Sequence, residues 1–129
     1  MADDQLQVEL VAADRIVWSG QASMVIARTT EGDVGMLRNH APLLSLLVDG
    51  VVEITAVEGD DLVAAVDGGF LSVAHNRVSI LSEHAVLSHE INVEQARADL
   101  EATEGDDSEE AAERARRAEA RIRAVEKAS

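Results

Sequence analysis

The chain has 129 residues, with 25 acidic and 11 basic side chains and a formal charge of −14. That balance excludes a nucleic-acid binder, which needs a basic footprint. The absence of cysteine excludes disulfides and thiolate metal sites. Lys127 is the one lysine, so there is no Gly-Lys pair for a phosphate-cradling Walker loop.

Length allows one compact domain with room for an appendage. The opening MADDQ lacks the basic residues and apolar run of a signal peptide. The longest nearly apolar stretch, residues 41–48, is far shorter than the ~20 residues of a membrane span. A cytoplasmic chain is expected, one that meets a membrane only through a partner.

From the N-terminus the period is that of β-structure. Leu6, Val8 and Leu10 alternate with Gln7 and Glu9, as in a half-buried strand. Met24 and Ile26 continue such a pattern from Ala22. Residues 51–57 are rich in valine, and residues 62–66 and 78–81 are apolar. Turn chemistry separates these runs at Glu58-Gly59-Asp60-Asp61 and at His75-Asn76-Arg77. Short strands between polar turns favour a sandwich or barrel over a parallel α/β sheet.

After residue 90 the period becomes helical. Asn92 can cap a helix, with Gln95 as its capping-box partner. Val93, Ala96, Leu100 and Thr103 then share a face. Glu104-Gly105-Asp106-Asp107 breaks the helix, and Asp107 or Ser108 can cap a second, with Glu109 and Glu110 in its first turn. Ala111, Ala115, Ala118, Ile122 and Val125 form a narrow stripe suited to one partner helix. The fold class expected is thus a β-sandwich over residues 1–90, followed by an α-helical hairpin over residues 91–129. Alanine buries little area and the first helix spans only about three turns, so the hairpin is expected to detach and reattach.

Charge divides this tail. From Asp99 to Glu113 every charged residue is acidic, and from Arg114 to Lys127 most are basic. Two readings stand: a solvated helix with charges matched to its dipole, or a basic surface aimed at an acidic partner.

Catalytic motifs are missing. In residues 31–44, EGDVGMLRNHAPLL, Gly32 and Gly35 permit turns and Pro42 fixes a bend after His40 and Ala41. His40 has no cysteine to pair with, and no Gly-x-Ser-x-Gly elbow occurs. Asp67-Gly68-Gly69-Phe70-Leu71-Ser72-Val73 reads as a strand with a close-packing or bulged glycine pair, not a dinucleotide fingerprint. His84 and His89 are five apart, which suits neither a helix face nor a strand face. Val93 stands where a zincin's second histidine belongs, so no metal is expected. Composition and spacing leave the function open.

Four segments together resemble the epsilon subunits of F-type, rotary ATP synthases. They are Val8-Glu9-Leu10-Val11 followed by Trp18-Ser19-Gly20, the acidic-glycine turn leading to His40-Ala41-Pro42-Leu43-Leu44, the Asp67–Val73 segment, and Val78-Ser79-Ile80-Leu81. The resemblance implies a ten-stranded sandwich with a two-helix C-terminal domain. It implies a non-catalytic place in the central stalk, bound to the gamma subunit and resting on the c-ring, peripheral to the cytoplasmic face of the cell membrane. Glu31, Asp33 and His40 match the part that faces the c-ring. The C-terminal helices are expected to reach the catalytic head, whose beta subunits carry an acidic segment, and to restrain ATP hydrolysis through Arg114, Arg117 and Arg121. A nucleotide motif of some members falls on Val93, Glu94, Arg97 and Ala98. Arg97 and Ala98 match and the other two are substitutions, so ATP binding is expected to be weak or absent. The alternative is a free-standing β-sandwich adaptor that binds a partner through its helical tail.

Overall fold

A computed structural model describes residues 5–129. The alternating apolar residues become strands that bury every second side chain. In β1 (Leu6–Val11), Leu6, Val8 and Leu10 are fully buried. β2 (Ile16–Thr29) is 14 residues long. β3 (Gly32–Met36), β4 (Leu43–Leu47), β5 (Gly50–Ala56), β6 (Leu62–Val66), β7 (Gly69–Ala74), β8 (Arg77–Leu81) and β9 (Ala85–Leu87) follow.

β2 takes part in two sheets. Its first half pairs antiparallel with β1, which pairs in parallel with β8, and β8 leads on to β7 and β4. Its second half pairs with β3 and β5, and β5 leads on to β6 and β9. The resemblance implied ten strands. Among the described residues there are nine, and each layer still has five because β2 serves in both. Between the layers lies one core, with Leu10, Val25, Met36, Ile54, Leu71 and Ile80 at its centre. Burying each such side chain contributes roughly 1.5–3 kcal/mol.

The turn between β7 and β8 is tighter than expected. His75 and Asn76 both have positive φ, 51° and 61°, and Arg77 already belongs to β8. Two left-handed residues are what a two-residue hairpin of type I′ requires.

A 3₁₀ turn (Ser88–Glu90) links the sandwich to the tail. Glu90 receives Arg15 at 2.6 and 2.9 Å and the Leu87 amide at 2.9 Å. The Arg15 guanidinium first, then the Leu87 amide, hold the Glu90 carboxyl down at about 2, against an ordinary value of 4.5. The depressed value sets the sign of the pH effect. Stabilisation from Glu90 is complete above pH 4.5 and drains as pH falls toward 2. Glu90→Gln should therefore flatten that part of a plot of urea midpoint against pH. A variant curve parallel to wild type throughout would contradict the assignment.

α1 (Val93–Glu101) starts at Asn92, whose side chain accepts the Gln95 amide at 3.1 Å. Only half of the expected capping box forms, because the Gln95 side chain turns to Asp99 instead, at 2.8 Å. α2 (Glu109–Ala128) is capped by Ser108, which accepts the Ala111 amide. α2 packs on α1 and also lies across β5 and β6. That corrects the expected seam. Ala111 and Ala118 are buried, but so are Ala120 and Ala124, which close on Ala65 of the sheet with Val51, Val63 and Val86 around them. Ala115, Ile122 and Val125 are only half-buried. A helix with two neighbours needs a wider stripe than a helix with one.

Candidate interaction surfaces

The two outer faces of the sandwich differ. On the β5–β6 face, α2 covers Val51, Val63, Ala65 and Val86. Among the described residues, the other face, built by β4, β7, β8, β1 and the first half of β2, carries no helix. Residues paired directly across strands point the same way, so its outward side chains can be read in rows. One row runs Leu46, Phe70, Leu81, Val11, Ile16. The next runs Leu44, Ser72, Ser79, Glu9, Ser19. A third runs Ala74, Arg77, Gln7, Gln21.

Leu44 and the first row, except half-buried Val11, are apolar yet open to water. Leu44 is 74% exposed, Ile16 62%, Phe70 and Leu46 52%, and Leu81 51%. Phe70 is the chain's one phenylalanine, and it is spent on the surface. Glu9 and Arg77 are the charged members of the three rows, one of each sign, in a chain of net charge −14. Loss of charge with exposed aromatic and aliphatic side chains is the composition of the core of a protein interface.

On the covered face, the basic half of α2 meets acids of the sandwich. Arg121 forks onto Asp67, with Nη1 at 3.0 Å from Oδ1 and Nη2 at 3.1 Å from Oδ2. Arg117 Nε lies 3.8 Å from the same carboxylate. Arg116 stands 3.6 Å from Asp49, and Lys127 stands 3.7 Å from Glu53. Arg114 reaches Asp106, at 4.0 Å, in the loop between the helices. Arg114, Arg117 and Arg121 line one cleft of about 400 Å³ with Asp67, Asp99 and Ala102. The acids that receive α2 were not foreseen. From sequence Asp67 reads only as the start of a strand with a glycine pair, and Asp49 belongs to no motif.

The remaining candidate residues lie elsewhere. Glu31 and Asp33 sit at the β2–β3 hairpin, with Asp33 3.4 Å from Arg28. His40 is in the loop between β3 and β4, where its Nδ1 lies 2.7 Å from the Ala41 carbonyl. The length of β3, ~15 Å, separates the two positions. That loop is held by Asn39, whose amide donates to Asn76 Oδ1 of the β7–β8 turn at 2.5 Å. Val93, Glu94, Arg97 and Ala98 are on α1 outside the arginine cleft, and Arg97 pairs with Glu94 at 3.3 Å. The nucleotide motif and the arginine cluster are thus not brought together. Among the described residues no cluster suited to a metal ion forms, and no helix is long and apolar enough to cross a membrane.

Comparison with known proteins agrees with this architecture. The family described as ATP synthase, Delta/Epsilon chain, beta-sandwich domain matches residues 5–88. The chain is 50% identical over 123 residues to an ATP synthase epsilon chain of Streptomyces avermitilis, covering 94% of this chain and 95% of that one. It is 51% identical over 125 residues to one from Rhodococcus jostii, covering 96% and 98%. Its fold is similar to a chain of the Euglena gracilis mitochondrial ATP synthase OSCP/F1/c-ring structure, with a TM-score of 0.78 at 24% identity, covering 97% of this chain and 81% of that one. A sandwich of two five-stranded layers, a helical hairpin folded onto one of them, and near half identity over almost the whole length lead to one conclusion: the chain belongs to the epsilon-chain family of ATP synthases.

Proposed function

We propose that the chain is a non-catalytic part of the rotor of a proton-driven ATP synthase. Its bare sheet face seats on the gamma subunit of the central stalk. The edge carrying Glu31, Asp33 and His40 approaches the c-ring, so contact with the membrane passes through the complex, at its cytoplasmic face. Rotation driven by protons is thereby linked to ATP synthesis in the head. The tail, when it leaves the sandwich, restrains ATP hydrolysis by carrying Arg114, Arg117 and Arg121 to the acidic catalytic subunits. In the docked arrangement these arginines face their own chain, a state without that restraint.

The observation that carries this reading is the apolar, nearly uncharged face opposite the helices. A second copy is a poor occupant, because two chains of −14 repel. An uncharged surface on a different protein is a good one. Residues 1–90 hold the bare face and the sandwich core, so they are expected to bind gamma without the tail. Co-expression with the gamma subunit, followed by size-exclusion chromatography, tests this. A one-to-one complex is expected with the full chain and with residues 1–90. A full chain that elutes alone at micromolar concentration would refute the rotor reading and favour the free-standing adaptor.

A further inference from the structure

We propose that Asp67 is a latch that holds the tail on the sandwich and withholds its arginines from any other acidic partner. Asp67 follows β6, at the start of the Asp67-Gly68-Gly69 bend. Its amide donates to the His84 carbonyl at 3.0 Å and contacts Ser82 Oγ at 3.2 Å, which fixes its backbone on the β8–β9 loop. Its side chain is 3% exposed, and both of its ion-pair partners, Arg121 and Arg117, lie on α2. A buried carboxylate is tolerable only while compensated. The same helix both covers Asp67 and supplies the compensation.

The arrangement has two consistent states. With α2 docked, the carboxylate is shielded and forked by Arg121. With α2 away, the carboxylate returns to water and Arg117 and Arg121 are bare. Other contacts hold α2 less firmly. Ala120 and Ala124 contribute little area. Arg116–Asp49 and Lys127–Glu53 involve cations about half exposed, which salt screens. Docking strength is therefore concentrated in one carboxylate. The grip is incomplete as well, because Arg117 Nε is buried without a hydrogen-bond partner. An unmet buried donor favours release. Arg121 reaches Asp67 only while α2 lies on the sandwich, so it serves either Asp67 or an outside acid met after α2 has left. Only the nature of that outside acid rests on the function proposed above.

The test needs the isolated full chain alone. Amide hydrogen exchange is followed by mass spectrometry in wild type, Asp67→Asn, Arg121→Gln and the double variant. Breaking a buried pair from either side should speed exchange in α2 by about tenfold or more. The double variant should be no faster than the faster single one, since both remove the same contact. Exchange in β7 and β8 should stay at wild-type rates. If Asp67→Asn also loosens β7 and β8, Arg121→Gln decides, because its side chain lies outside the sandwich core. Wild-type protection of α2 in Arg121→Gln, or strictly additive effects in the double variant, would overturn the latch. Neither result touches the gamma-binding test, so the two proposals fail separately.

Discussion

Gly69→Ala is expected to lower the stability of the sandwich by about 2–6 kcal/mol, the sum of backbone strain and overpacking. Gly69 has φ +116°, where side chains are rarely tolerated. A Cβ there would overlap the Leu81 carbonyl oxygen and stand 2.9 Å from Ser82 Cα. These are backbone atoms of the neighbouring strand, so no rotamer change relieves the clash. Gly59 supplies the contrast, with φ +85° but nothing within 4 Å of an added Cβ. Gly59→Ala should cost only the left-handed term, about 1–2 kcal/mol. Urea unfolding, followed by circular dichroism and by Trp18 fluorescence, compares the two. Equal losses would mean that the close approach to Leu81 does not matter. A whole domain is stable by only about 5–15 kcal/mol, so Gly69→Val should fail to fold.

Phe70→Glu should weaken binding to the gamma subunit by at least about 2 kcal/mol, roughly 30-fold. Phe70 lies within the apolar row, between Leu46 and Leu81. In an interface that position is dry, and a lone carboxylate placed there loses its hydration without gaining a partner. Because Phe70 points away from the core, the melting temperature should hardly move, which separates lost binding from lost folding. Gln21→Glu adds the same charge in the third row, where a rim position should change affinity by less than about 0.5 kcal/mol. Titration calorimetry with purified gamma measures both. A Phe70→Glu affinity within threefold of wild type would show that gamma sits elsewhere.

Strands such as β1 were legible because they have one wet and one dry side, whereas β6, with Ala64, Ala65 and Val66 all buried, reads only as an apolar run. Leu6, Val8 and Leu10 against Gln7 and Glu9 is a pattern with a single solution. The glycine pair at 68 and 69 was legible as close packing or a bulge, and the close approach proves to be at Gly69. The docking of α2 was not. Alanine occupies seven of its positions between Ala111 and Ala128, so the helix shows no hydrophobic contrast to mark which stripe is buried. The sandwich acids that its basic residues meet lie 50 to 74 residues earlier, from Arg117–Asp67 to Lys127–Glu53, and sequence spacing carries no information about such pairs. The bare face was hidden differently. Leu43, Leu44, Leu46 and Leu47 read as one apolar run, and only register shows that Leu44 and Leu46 face outward while Leu47 is buried.

The continuity of β2 has a mechanical consequence. In a sandwich whose layers touch only through side chains, a sideways force can make one sheet slide over the other, and resistance comes from interdigitation alone. Here the backbone of β2 passes from the first layer to the second without a loop. A force taken up on the Phe70 face therefore reaches the β5–β6 layer along covalent bonds as well as through the core. Shear between the sheets would have to strip β2 from β1 or from β5, breaking a ladder of hydrogen bonds together. For a part that turns within a rotor, that makes the sandwich stiff against torque even though its individual contacts are small.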